Sequence, residues 1–138
     1  MSAAAASLGI QNIGQMSIIV KDVERATTFY RDVLGLKLLF TVPSMAFFDC
    51  GGVRLMLGTA SSPEYDHPSS ILYFRVADIN AGHQRLVESG VDIISAPRLI
   101  APMPDHDLWM TAFRDSEGNV HQLMSEVPRA ATKAGCDG

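Results

Sequence analysis

The chain has 138 residues, 47% of them hydrophobic and 19% charged, with 11 Lys plus Arg against 15 Asp plus Glu and a net charge of -4. That is the length and composition of one globular domain with its own core, and it excludes a disordered chain. Basic residues scattered singly exclude a nucleic-acid surface, and no apolar run is long enough to span a membrane.

Residues 1–11 read as a flexible tail. Met1 to Leu8 is rich in Ala and Ser, with neither the basic start nor the apolar stretch of a secretory signal. Met16, Ile18 and Val20 then alternate with Gln15, Ser17 and Ile19, the period-2 pattern of a strand with two different faces. Asp22 is a helix N-cap, Val23, Ala26, Phe29, Tyr30, Val33 and Leu34 follow at helical spacing, and Gly35 is the stop. Three strand candidates come next, Lys37 to Val42, Met45 to Cys50 and Val53 to Leu57, punctuated by Pro43, Gly51-Gly52 and Gly58. Residues 12–58 therefore form one βαβββ module.

Residues 59–70, rich in Ser and Pro, connect this module to the next. The pattern restarts at Ile71 to Val76. Asp78 caps a helix carrying Ile79, His83, Leu86 and Val87, and Gly90 closes it. Val20-Lys21-Asp22-Val23 recurs as Val76-Ala77-Asp78-Ile79, and the Gly52-Val53-Arg54-Leu55-Met56 strand start recurs as Gly118-Asn119-Val120-His121-Gln122. The second module, 71–126, is roughly ten residues longer, with the extra length around Ala96 to Leu108. Residues 127–138 read as a second flexible tail. The predicted fold class is α+β, two βαβββ modules whose sheets enclose a concave cleft.

The stretches Ile13-Gly14-Gln15 through Val20, Arg25-Ala26 with Phe29-Tyr30-Arg31-Asp32-Val33-Leu34-Gly35-Leu36, and Phe113-Arg114-Asp115-Ser116-Glu117-Gly118-Asn119 resemble the vicinal oxygen chelate superfamily. That superfamily contains glyoxalase I, bleomycin-resistance proteins, extradiol dioxygenases, fosfomycin-resistance enzymes and methylmalonyl-CoA epimerase. The resemblance covers roughly residues 12 to 126 and implies the glyoxalase-like fold and a homodimer. It leaves the activity open, because one scaffold hosts isomerases, lyases, dioxygenases, transferases and binders. In metal-dependent members the ligands come from the first and last strand of each module, which correspond here to Gln15, Met56, Ile71 and Gln122. Gln15 and Gln122 could offer amide oxygens, whereas Met56 is a soft thioether and Ile71 has no donor, a poor set for an oxygen-preferring divalent cation. No cofactor is therefore expected.

Alternation sends Gln15, Ser17, Arg54 and Met56 of the first module, and Ile71, Tyr73, Arg75, Gln122 and Met124 of the second, to the concave face. An apolar cleft with a few polar groups suits a small molecule, and equally a cleft filled by its own side chains. Pro102-Met103-Pro104-Asp105-His106-Asp107-Leu108-Trp109 reads as a loop able to close over a ligand, with His106 as a general base, or as a solvated turn. Trp109 is the candidate aromatic wall. Tyr73 and Arg75 could hold a carboxylate or polarise a carbonyl, with Arg75 otherwise reaching solvent.

His121 is expected to be structural, His83 and His67 to lie on the surface, and Asp49 and Asp115 to serve hairpin turns. Cys50, at a strand end, and Cys136, in the C-terminal tail, are not expected to pair, which fits a reducing cytoplasm. No Ser-His-Asp set, phosphate-cradling loop, CxxC or HExxH motif is present. The functional expectation is a bleomycin-resistance-like binder of a small organic molecule without the metal site. The alternative is a lyase, isomerase or dioxygenase acting on a small carbonyl or carboxylate compound, and a role in assembly alone ranks third.

Overall fold

The computed structural model describes residues 8–128. Cys136 and most of both expected tails lie outside that range. Two four-stranded sheets form from β1 (Gln15–Ile19), β2 (Lys37–Val42), β3 (Met45–Cys50), β4 (Val53–Gly58), β5 (Leu72–Arg75), β6 (Asp92–Pro102), β7 (His106–Arg114) and β8 (Val120–Pro128). Their orders, β1-β4-β3-β2 and β5-β8-β7-β6, are the same topology twice, each first strand running parallel to the last of its module.

Helix α1 (Val23–Thr28) starts at Asp22, whose carboxylate accepts from Arg25 N at 3.0 Å. It widens into a π-helical turn over Phe29–Val33 and ends at Gly35, whose φ of 75° an L side chain would resist. The wider turn aims two successive rings inward. Phe29 packs on the cores of both modules, and Tyr30 is completely buried between them. Helix α2 (Ile79–Glu88) repeats the device, with Asp78 accepting from Asn80 N and Ala81 N and Gly90 at φ 75°.

The helices cover one face of each sheet. Ile18, Val20, Phe48, Leu55 and Leu57 pack with Ala26 and Tyr30, while Phe113 and Leu123 pack with Ile79 and Leu86. Leu72 of β5 belongs to the first cluster, so the modules share a core instead of meeting only at the linker.

Two boundaries need correction. The extra length of the second module is not a loop: Ala96 to Pro102 belongs to β6 and His106 to Leu108 to β7, leaving only 103–105 as the turn. Pro97 and Pro102 misled because proline normally breaks a strand, but β6 is an edge strand with register shifts, where a missing N–H is tolerated. Val127 and Pro128 extend β8, not the tail, because they pair with Asp107 and His106 of that longer hairpin.

A buried polar cluster ties the modules together. Tyr30 Oη lies 2.6 Å from Asp115 Oδ2 and 2.8 Å from His121 Nε2. His121 Nδ1 accepts from Leu72 N at 3.3 Å, so the neutral ring carries its proton on Nε2 and donates it to the phenol. Burial, then the Asp115 charge, pushes the Tyr30 phenol far above its ordinary range, so it stays a donor. Burial opposes the Asp115 charge, but the His121 ring, whose Nε2 lies 3.7 Å from Oδ2, and hydrogen bonds from Tyr30 and Asn119 outweigh it and hold the carboxyl at about 2. A carboxyl held below its ordinary value of 3.8 stabilises the fold fully above that value and loses this contribution as pH falls through about 2. The loss is on the order of 2 kcal/mol. Urea titrations between pH 7 and pH 2 should therefore show an acid-side decline that Asp115→Asn flattens, and an unchanged decline in the variant would remove Asp115 as its source.

Candidate functional site

The face of sheet 1 away from α1 is built as three rows across the strands. By register, Lys37, Asp49, Arg54 and Gln15 form one row, Phe40, Phe47, Met56 and Ser17 the next, and Val42, Met45, Gly58 and Ile19 the third. The alternation predicted for Gln15, Ser17, Arg54 and Met56 is the one found. Phe40 and Phe47 stack at 4.5 Å, and the Arg54 guanidinium lies 5.7 Å from the Phe47 ring centre. Arg54 Nε donates to Gln15 Oε1 at 2.8 Å, and the Gln15 amide nitrogen approaches Met56 Sδ at 3.9 Å.

A cavity of about 590 Å³ opens over the second and third rows. Its floor is Ser17, Ile19, Met45, Met56 and Gly58, and the connection between the modules covers it with Tyr65, His67 and Ser69 among others. Ser69 Oγ accepts from Ile19 N at 2.9 Å, which fastens that connection to the free edge of β1. At Gly58 a Cβ would stand 3.3 Å from Met45 Cγ, so glycine keeps the floor open. Ser44, at the rim, holds φ 68°, a conformation rare outside glycine and often kept where function requires it. Tyr65 and His67 escaped the sequence reading because only the turn at Pro63–Tyr65 and the fold-back of the linker bring them here, and Ser44 and Met45 because the β2–β3 hairpin sets them beside Gly58 only through strand register.

Sheet 2 presents a separate surface. Tyr73 stands beside Gln122 and Arg75 beside Met124, as alternation predicted, and Ile71 is exposed just before β5. Arg75 Nη1 is 3.1 Å from Glu126 Oε1, and the other Glu126 oxygen is 3.9 Å from His106 Nε2. His106 Nδ1 in turn lies 2.7 Å from Asp105. Two predicted residues are thus linked through Glu126, a residue the sequence reading passed over because it was counted as the module's last. His106 sits on strand β7, not on a closing loop.

Trp109 is not a cleft wall. Register pairs Thr111 with Leu123 and Phe113 with His121, so odd-numbered β7 residues face α2, and Trp109 packs on the cluster of Ile79, Leu86, Phe113 and Leu123. Met110 and Ala112 take the other face. No residue of sheet 2 lines the cavity above Met56, and the two sheets meet instead at a smaller groove of about 290 Å³ between Met16, Val53 and Leu55 of one and Leu72, Tyr73 and Phe74 of the other. His121 is structural, as expected. Asp115 does more than its turn, reaching Tyr30 across the module boundary. His83, expected at the surface, is half-buried, with Nδ1 3.3 Å from Thr111 Oγ1.

The four positions corresponding to the superfamily's metal ligands do not fit a divalent cation. The Gln15 oxygen is turned onto a guanidinium, so a metal there would share its donor with a positive charge. Met56 offers sulfur, Ile71 offers nothing, and Gln122, on the other sheet, keeps Oε1 buried without a hydrogen-bond partner among the described residues. Among the described residues no three His, Cys, Asp or Glu side chains come together as a metal site.

The chain belongs to the Glyoxalase/Bleomycin resistance protein/Dioxygenase superfamily, whose profile matches residues 12–123. Within it, the chain is 29% identical over 90 residues to glutathione transferase FosA of Serratia marcescens, spanning 61% of this chain and 64% of that protein's length. Among solved structures it is similar to TnmS3, an antibiotic binding protein from Streptomyces sp. CB03234, with 26% identity, a TM-score of 0.69 and coverage of 87% and 99% of the two chains. A superfamily member from Sphaerobacter thermophilus gives 27% identity and a TM-score of 0.69 over 86% and 100%. A lactoylglutathione lyase from Agrobacterium tumefaciens shares the fold at 20% identity, with a TM-score of 0.67 over 85% and 95%.

Proposed function

We propose that this protein binds a small organic molecule in the cavity above Ser17 and Met56, without a metal ion. The observation that carries this is the Gln15 amide oxygen committed to Arg54 at 2.8 Å, which turns the position of a metal ligand into part of an organic-ligand surface. A volume of about 590 Å³ lies within the roughly 300–1,000 Å³ range of small-molecule sites. Likeness to an antibiotic binding protein at 26% identity supports the same class.

The binder works as a homodimer in the cytoplasm. The outer strands β2 and β6 expose Leu39, Phe40 and Val42, and Leu99 and Ile100, apolar edges that a second copy would cover. Cys50 is free, as a reducing compartment allows, and among the described residues no helix is long and apolar enough to cross a membrane. A second reading is a metal-independent lyase or isomerase on sheet 2, favoured by the Asp105–His106 pair at 2.7 Å beside Glu126 and Arg75, with Tyr73 two residues from Arg75 on the same strand. His106 would then act as general base.

A thermal-shift screen of small organic molecules, followed by calorimetry of the hits, tests the binder. Ser17 is exposed on the cavity floor, so Ser17→Trp should fill the space without disturbing the core and weaken binding of every cavity ligand at least tenfold. Hits that bind the variant unchanged would move the site elsewhere, and hits lost on His106→Gln instead would favour sheet 2.

A further inference from the structure

We infer that Arg54 is an anion-recognition group, and that the ligand of this cavity is an apolar or aromatic acid. This rests on the reading that the cavity binds a small organic molecule, and adds the ligand's charge and layout.

Arg54 is held by neutral groups only. Its Nε is used by Gln15, its plane lies near the Phe47 ring, and among the described residues no carboxylate stands within ion-pair distance of it. The carboxylate beside it in the row, Asp49, instead accepts from Gly52 N at 3.2 Å within the hairpin turn. Four other arginines, Arg25, Arg31, Arg75 and Arg114, each face a carboxylate, Glu117, Asp32, Glu126 and Asp92 respectively. Arg85 instead donates to the Asp32 backbone carbonyl at 3.1 Å, and neither it nor Arg98 lies beside the stacked rings of this concave face as Arg54 does. Arg54 therefore keeps its charge and both terminal nitrogens for something else, in an orientation already fixed by Gln15. A planar guanidinium so held matches a carboxylate, phosphonate or sulfonate with two parallel hydrogen bonds.

The rows of sheet 1 set the rest of the ligand. Arg54 shares its row with Lys37, Asp49 and Gln15; the next row is Phe40, Phe47, Met56 and Ser17, and Met56 and Ser17 together with Met45, Gly58 and Ile19 of the row beyond form the cavity floor. Adjacent rows lie two residues apart along a strand, about 7 Å. An apolar or aromatic body resting on Phe47 and Met56 and entering the cavity thus places an acidic group, roughly 7 Å away, on Arg54. Arg54 here recognises the ligand and takes no part in a reaction.

Isothermal titration with 2-naphthylacetate and its neutral isostere 2-naphthylacetamide tests this at low ionic strength. Wild-type protein should bind the acid about tenfold more tightly than the amide. Arg54→Gln should bring the two to within about twofold by weakening the acid alone, and Arg98→Gln, on sheet 2, should keep the full preference. Equal affinity of acid and amide for the wild type, or a preference that survives Arg54→Gln, overturns the assignment while leaving the cavity as a binding site, provided Ser17→Trp weakens both probes. Absence of binding by both probes overturns the assignment as well, and the cavity is then judged by the Ser17→Trp screen alone.

Discussion

Replacing Asp115 with alanine is expected to cost about 3–5 kcal/mol of folding stability, the largest single effect in the molecule outside the apolar core. Its Oδ1 accepts from Glu117 N and Asn119 N, each at 2.8 Å, and its Oδ2 from Tyr30 Oη at 2.6 Å and Asn119 Nδ2 at 3.1 Å. Alanine leaves those donors behind, one of them on a fully buried tyrosine, and a buried donor without a partner costs about 1–3 kcal/mol. Tyr30→Phe removes the charge-assisted bond to Asp115 and the acceptor of the buried His121 Nε2–H, and should cost about 2–4 kcal/mol. The equivalent turn of the first module supplies the internal control. There Asp49 accepts from Gly52 N alone and reaches nothing in the other module, so Asp49→Ala should cost less than about 1 kcal/mol. Urea unfolding followed by the fluorescence of Trp109 gives all three values, and similar costs for Asp49→Ala and Asp115→Ala would refute the clamp.

Glu117→Ala should destabilise by about 2–3 kcal/mol, for a different reason. Its Oε1 accepts from Lys21 N at 2.9 Å and Asp22 N at 3.1 Å, two backbone donors at the entry to α1, and its Oε2 pairs with Arg25 at 2.7 Å. The glutamate side chain is 3% exposed and the arginine's 57%, so water can replace the carboxylate for Arg25 but not readily for the backbone groups. Arg25→Ala is accordingly expected to cost less than about 1 kcal/mol, and Glu117→Gln, which can still accept from the backbone, to fall between. If Arg25→Ala matched Glu117→Ala, the ion pair and not the backbone capping would be the main contribution.

Local chemistry made much of this fold legible. Asp22 and Asp78 cap their helices, Gly35 and Gly90 end them with positive φ, and period-2 alternation puts Ile18 and Val20 inside and Ser17 outside. These features are decided within a few residues along the chain, so the chain reveals them. What stayed hidden depends on residues far apart. Tyr30 meets His121 across 91 positions, and the linker's Tyr65 and His67 join the cavity only because Ser69 fastens to β1. Trp109 was misplaced for a third reason. Its strand starts at His106, and once prolines had disguised that start nothing local said which of Trp109 and Met110 faced the helix. The Arg54–Gln15 bond joins neighbouring strands, and pairing them needs a register that the sequence does not print.

Metal content is the quantity on which the proposed function turns. Protein purified without tag or chelator should contain no stoichiometric transition metal, and titration with Ni, Mn, Fe and Zn salts should leave its melting temperature unchanged. One tightly held ion per chain, with a melting temperature that rises on its addition and a loss of that rise on Gln15→Ala or Gln122→Ala, would contradict the account and return the concave face to metal-dependent chemistry.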